Sequence, residues 1–284
     1  MNDKVFACID HSSYTPAVCD YGAWAALQLA APLEFLHVLD RHPEMAKKRD
    51  YSGSIGLGTR EHLLEELAAL DEQMSRVAQE SGRLLLDGAK QRAIEAGVPA
   101  PEGRQRHGHL VETLAELENS TRLFVLGKRG EAAESAPQHI GGNLERVVRA
   151  LHRPILVVPK EYRKPGSAMI AFDGSATTRK GVEMIARSPL FRGLTIHLVT
   201  VGEGNRAAAG LEWAEDTLRR AGFAVQAAIV SGEPETALAV YLQAHALDLL
   251  MMGAYGHSRI RQLLVGSTTT TMIRTLAVPL LLLR

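Results

Sequence analysis

The chain is one pattern written twice. The first copy opens on the apolar run Val5–Ile9 closed by Asp10, the second on Ala168–Phe172 closed by Asp173. A small polar cluster follows each aspartate, His11-Ser12-Ser13 and Gly174-Ser175, and further on come LEFLHVLD around His37 and LTIHLVTV around His197. Each copy closes on a basic-apolar helix and a Pro-led apolar run, RVVRALHRPILVV at 146–158 and TMIRTLAVPLLLL at 271–283. Pro154 and Pro279 are 125 positions apart, as are Arg149 and Arg274. Such an ordered series constrains the fold more than any single segment, because one architecture must satisfy both copies. The length of 284 residues suits about two domains of ~150 residues. The joint falls in the charged, Pro- and Gly-containing stretch Pro159–Gly166, giving expected domains at 1–160 and 166–284.

Within each copy, short apolar runs alternate with helical patterns. In the second, strands are expected at 168–172, 194–201, 223–230, 248–252 and 279–283, and helices at 176–187, 206–221, 234–246 and 267–276. Runs of four to six apolar residues suit parallel strands buried on both faces. The order βαβαβαβαβ predicts an α/β fold of two tandem doubly wound domains. Each is a five-stranded, mostly parallel sheet with helices on both faces and right-handed crossovers. Ligands of such sheets bind beyond the carboxyl ends of the strands where strand order reverses, so the loops after strands one and four are the candidate sites.

The first copy is longer in its middle. His37 and His197 are 160 apart while Gly108 and Gly232 are 124 apart, which indicates 36 extra residues. Part is expected as a polar loop near 41–60 with Gly53, Gly56 and Gly58, either flexible or a lid. The rest is expected as a helix near 61–96 with Leu63, Leu67, Leu70, Met74 and Val77 at helical spacing, kinked or ended by Ser81-Gly82.

Composition removes several classes of function. Lys+Arg and Asp+Glu both number 32, for zero formal net charge; binding to a nucleic-acid backbone needs a basic excess. The two cysteines, Cys8 and Cys19, cannot make a disulfide scaffold and suit a reducing compartment. No apolar run approaches the ~18 residues of a membrane span, and no secretory h-region follows the first basic residue. A cytoplasmic location without membrane insertion is the expectation.

The pattern richest in chemistry is Gly253-Ala-Tyr-Gly256, nine residues, then Gly266-Ser267-Thr268, directly after the apolar run LDLLMM. A phosphate chain needs inward-pointing N–H groups with no Cβ in the way, which glycines supply. A helix opening at Gly266-Ser267 adds free N–H donors and partial positive charge, and Ser267 can serve as N-cap and hydroxyl donor. Spacing alone leaves an ordinary turn open as an alternative. The arrangement is neither Walker A nor G-x-G-x-x-G.

The spacing G-x2-G-x9-G-[S/T] resembles the ATP-binding signature of the universal stress protein family, and the likeness spans nearly the whole chain as a tandem pair. Companion landmarks are Asp173, the His197-Leu198 pair and the Val230-Ser-Gly232-Glu-Pro234 turn. The resemblance implies the adenine nucleotide alpha hydrolase-like fold. It implies a site of Asp173, Leu198, Val230, Gly232, Gly253, Gly256, Gly266, Ser267 and Thr268, with ATP and Mg²⁺ as ligands. It also implies pairing of the two last strands within the chain, and leaves a homo-oligomer open.

The first copy departs at each phosphate position. It reads Gly127-Lys-Arg-Gly130, then ten residues, then Gly141-Gly142-Asn143, with His11 in place of Gly174 and Arg106-His-Gly108-His-Leu110 at the turn. Poor ATP binding is expected there. Lys128 and Arg129 read as a solvated loop or an anion attractant. His11, His107 and His109 lack a carboxylate or thiol to complete a metal set, so no metal site is assigned. Tyr255 reads as a packed aromatic or a ribose cover. The leading expectation is a stress-response regulator that binds ATP through its second half. The rivals are a slow ATP hydrolase or phosphotransferase, for which Arg259 and Arg261 are the only loop cations and no catalytic residue is assigned, and a nucleotide-free dimerisation scaffold.

Overall fold

A computed structural model describes residues 3–39, 57–131, 142–202, 205–254 and 267–284. In chain order the first half contains β1 Lys4–Cys8, α1 Thr15–Leu29, β2 Leu33–Leu39, α2 Leu57–Glu95, β3 Glu102–His107, α3 Leu110–Leu117, β4 Thr121–Gly127, α4 Gly142–Ala150 and β5 Ile155–Val158. The second half repeats the series as β6 Ser167–Ala171, α5 Ala176–Arg187, β7 Thr195–Val201, α6 Asn205–Arg220, β8 Val225–Val230, α7 Pro234–Ala244, β9 Leu250–Gly253, α8 Ser267–Thr275 and β10 Leu280–Leu283.

The strands form one sheet in the order β3-β2-β1-β4-β5-β10-β9-β6-β7-β8. Each half is doubly wound, and its strand order reverses between its first and fourth strands, β1/β4 and β6/β9. Side chains alternate across the sheet with the two-residue period of a strand. Val5, Ala7, Leu281 and Leu283 join the core under α1, α2, α5 and α6. Phe6, Leu280 and Leu282 join the opposite core under α3, α4, α7 and α8. Burial on both faces is the reason the inner strands read as unbroken apolar runs, whereas the edge strand β3 is polar and largely exposed.

The halves meet at β5 and β10, which pair antiparallel, with Leu281 opposite Leu156. Those two leucines are counterparts in the repeat, so a pseudo-two-fold axis passes between them. Two apolar strands that would each be an exposed edge of a separate half cover one another here, which removes an aggregation hazard.

Sheet register corrects the alignment of the copies. Cys8 pairs with Leu36 and Ala171 with Val199. Cys8 and Ala171 each lie two residues before the strand-end aspartate, so His37 corresponds to Thr200 and not to His197. Val38 pairs with Arg106 and Val201 with Val230. The first interval is 68 positions and the second 29, so the insertion is 39 residues. Matching histidine letters gave the wrong offset because the true counterpart is a different residue type.

Helix α2 runs unbroken from Leu57 to Glu95, about 58 Å at 1.5 Å per residue. The helix does not end at Ser81-Gly82. A Cβ on Gly82 would lie 2.6 Å from His37 Cδ2 and would overlap the Gln105 amide, so this glycine serves close approach to β2 and β3 rather than helix breaking. The exposed i,i+3 and i,i+4 pairs Arg76–Glu72 at 2.6 Å, Arg83–Glu80 at 2.6 Å and Lys90–Asp87 at 2.7 Å support the helix weakly. They help offset the ~1 kcal/mol cost of a glycine in a helix. Gly58 lies within α2; Gly53, Gly56 and most of the expected 41–60 loop lie outside the described residues.

Candidate functional site

In the second half, the rim at the β6/β9 reversal is built by short polar links. Asp173 follows β6; its Oδ1 accepts from Ser175 N at 2.9 Å and from Thr178 Oγ1 at 2.7 Å. Gly174 between them has φ +74°, in the left-handed region that glycine enters at no steric cost. Ser175 Oγ caps α5 by accepting from Thr178 N at 3.3 Å. Arg179 Nε donates to Gly174 O at 3.2 Å, with its guanidinium carbon 4.8 Å from the Trp213 ring centre. A cation is thereby parked against this turn.

Val230 ends β8, and Gly232 follows at φ +116°. Glu233 is extended, and Pro234 opens α7 at the position where a missing N–H costs nothing. Gly253 closes β9 beside Leu283. The first turn of α8 is tied back to it, because Thr269 Oγ1 lies 3.2 Å from Gly253 O and 3.1 Å from Ala254 O. Thr269 is buried. It was not a sequence candidate, since nothing distinguishes it within the threonine run 268–271.

The sequence-derived residues divide into three groups. Asp173, Val230, Gly232, Gly253, Ser267 and Thr268 all lie at the carboxyl ends of strands or at the start of α8. Leu198 does not: it sits in mid-strand in β7, fully buried, its backbone between Ile170 and Ala227. Its peptide groups belong to the sheet ladder, and the strand runs on to Val201, with Gly202 following at the rim. Gly256 and Gly266 lie outside the described residues, as do Tyr255, Arg259 and Arg261. Ser267 is the first helical residue of α8 rather than the residue preceding it. The Thr268 hydroxyl donates to Glu235 Oε1 at 2.8 Å, fastening α8 to α7. His197 faces α7, with Nδ1 3.1 Å from Tyr241 Oη and its ring 5.3 Å from that of His245. Burial, and then the neighbouring His245, lower its pKa, so it packs as a neutral ring.

The matching rim of the first half is filled by the chain's own groups. Asp10 Oδ1 accepts from Ser12 N at 3.0 Å, and Oδ2 accepts from Glu131 N at 2.9 Å. A Cβ on Gly130 would lie 2.7 Å from Asp10 Oδ2, and one on Gly127 would lie 2.7 Å from Tyr14 Cβ. These two glycines are explained by a carboxylate and a tyrosine. Helix α2 borders the same rim: Ser81 Oγ is 3.2 Å from His11 Nε2, and Gln79 Nε2 is 3.4 Å from His107 Nε2. Among the described residues no three His, Cys, Asp or Glu side chains gather as a metal-binding group.

Lys128 is not part of a solvated loop. It is 8 % exposed, and its ammonium donates across the pseudo-two-fold to Leu276 O, just beyond α8. Burial, with Arg129 beside it, lowers its pKa to about 8. The reciprocal bond comes from Arg284, which donates to Arg149 O and Leu151 O at the end of α4. Each half thus places a cation on the carboxyl end of a helix in the other, where the helix dipole favours it. Burial pushes the thiols of Cys8 and Cys19 up to about 12, so both stay protonated and unreactive at neutral pH.

A duplicated, doubly wound sheet joined at its last strands, with a glycine loop leading into a helix at the strand-order reversal, defines the class of the protein. The model of the universal stress protein family matches residues 1–159 and 202–284. Universal stress protein Slr1230 of Synechocystis sp. is 37 % identical over 285 residues, covering 99 % of each chain. This chain belongs to the universal stress protein family, in its tandem-domain form. Among solved structures, a universal stress protein from Archaeoglobus fulgidus superposes with TM-score 0.65 at 17 % identity, covering 99 % of this chain and 96 % of that one. A putative universal stress protein from Pseudomonas aeruginosa gives 0.61 at 14 % identity, with 99 % and 93 % covered. These two likenesses bear on the fold. No helix among the described residues is long and apolar enough to cross a membrane.

Proposed function

We propose that this protein is a stress-response regulator that binds ATP, with Mg²⁺ on the phosphates, in its second half, 166–284. The first half, 1–160, acts as a pseudo-symmetric partner that does not bind nucleotide. One observation carries the reading. At equivalent rims of one sheet, the first half seats Asp10 and Tyr14 against Gly130 and Gly127, while the second joins Gly253 through Thr269 to the amino end of a nine-residue helix. Free N–H groups and the helix dipole at that end favour an anion. Thr200 Oγ1, buried without a hydrogen-bond partner among the described residues one residue before the end of β7, adds an unspent hydroxyl. The residues we assign are Asp173, Val230, Gly232, Gly253, Ser267 and Thr268, with Gly256 and Gly266 from the signature. Leu198 is left out because its backbone is spent in the sheet. When bound, Mg²⁺ would neutralise phosphate charge; Asp173 and Glu235 are the carboxylates near the loop ends.

The test is titration calorimetry of the full chain with Mg²⁺ and ATP. One ATP per chain is the expected result. No binding at millimolar ATP, an affinity of only about −4 kcal/mol, overturns the reading and leaves the scaffold role. Multiple-turnover phosphate release would turn the regulator into a hydrolase.

A further inference from the structure

The amino-terminal part of α2 overshoots the sheet. Leu86, Ala89 and Ala93 of its carboxyl-terminal part pack in the core, and Gln79 and Ser81 stand level with the strand ends at His107 and His11. Every residue from Glu66 to Val77 is exposed. On this projection Leu67, Leu70, Met74 and Val77 are 50 to 70 % exposed. Their spacing is 3, 4 and 3, and Leu84, 59 % exposed, continues the row one heptad after Val77. A 3-4 alternation is the seam of a helix that packs on another helix. The apolar area involved is on the order of a few hundred Å² per copy, comparable with the largest apolar patch of an ordinary monomer, which is often functional. The edge by which two such halves associate, β5 with β10, is already used inside the chain.

We propose that this seam pairs with the same seam of a second copy, antiparallel and centred between Leu67 and Leu70. That register lays residues 57–80 along their own reverse, about 36 Å, and puts the two sheets at opposite ends of the pair, clear of each other. Leu67 then stands opposite the partner's Leu70, and Glu66 beside the partner's Gln73. The parallel heptad register instead sets Glu66 beside the partner's Asp71, two like charges, and brings both sheets to one end.

Sedimentation velocity of the full chain across micromolar concentrations tests the pairing. A mass of twice the 30.8 kDa chain is expected for wild type, falling to one chain in Leu67→Glu/Leu70→Glu with circular dichroism unchanged. A monomeric wild type, as when another part of the chain or a basic helix of a different protein covers the seam, overturns the proposal. So does a dimer indifferent to the double substitution. Orientation is read by oxidation: Leu67→Cys mixed with Leu70→Cys should cross-link. Cross-linking of Leu70→Cys with itself alone overturns the antiparallel arrangement.

Discussion

The glycine loops of the two halves start from the same backbone position and end in different chemistry. Gly127 and Gly253 each close the fourth strand of their half. In the first half, the next residue is Lys128, a long cation that leaves its own loop to hold the end of α8. In the second, it is Ala254, buried, whose N–H donates to Leu283 O at 2.7 Å. In the first half, the strand-end aspartate holds the loop itself, through Glu131 N. Glycine in a loop therefore does not mean phosphate. It means that something approaches closely, and only the surroundings say whether that is a ligand, a tyrosine or a carboxylate.

The largest effect that would break this comparison concerns Lys128. Its ammonium is charged in both folded and unfolded chains below pH 8, and its burial then costs stability. Between about 8 and the ordinary 10.5, the unfolded chain binds more protons than the folded one, so stability rises with pH. The full gain, up to about 3 kcal/mol, should appear in urea melts as the difference between wild type and Lys128→Met, which removes the titration. A difference that is flat across pH 8 to 10.5 would mean that Lys128 is solvated.

A second experiment pits matched glycines against each other. Gly232 and Gly108 both have φ in the left-handed region, +116° and +135°, so valine strains both turns by roughly 1–3 kcal/mol. We expect Gly232→Val to weaken ATP binding about 30-fold, ~2 kcal/mol, and Gly108→Val to leave it unchanged in calorimetry. Equal losses would show that both halves contribute to one site.

Asp10→Ala should cost about 1–2 kcal/mol in thermal melts, because Ser12 N and Glu131 N lose their acceptor, with ATP affinity intact. The smallest effect is expected from Thr268→Val. It removes the hydroxyl donated to Glu235 and should lower stability by about 1 kcal/mol. If ATP affinity also falls more than tenfold, Thr268 serves the nucleotide rather than α7.

Much of the architecture was legible before any coordinates. The strands and helices of the second half fall within two residues of their expected bounds at every end, because buried strands and helices buried on one face leave different periods in the sequence. Two readings went astray for a shared reason. Equating His37 with His197 matched letters, whereas hydrogen-bond register aligns His37 with Thr200. Reading Gly82 as a breaker took glycine for its backbone freedom, whereas here its missing Cβ admits His37 and Gln105. Of the candidate site, Leu198, taken from the family's His-Leu pair, lies in mid-strand rather than at the rim. Thr269 was missed, and Lys128 was read as a loop cation, because their importance lies in what they reach.

The sequence by itself determined the duplication, the α/β class and the unequal loops, since each is a property of order and spacing along one chain. Only the tertiary structure decided the antiparallel register in which β5 and β10 join two sheets into one, that Asp10 meets the first glycine loop, and that Lys128 reaches α8. Those contacts join residues up to 148 positions apart. No local periodicity encodes them, because they arise from packing that brings distant surfaces into the same few ångströms.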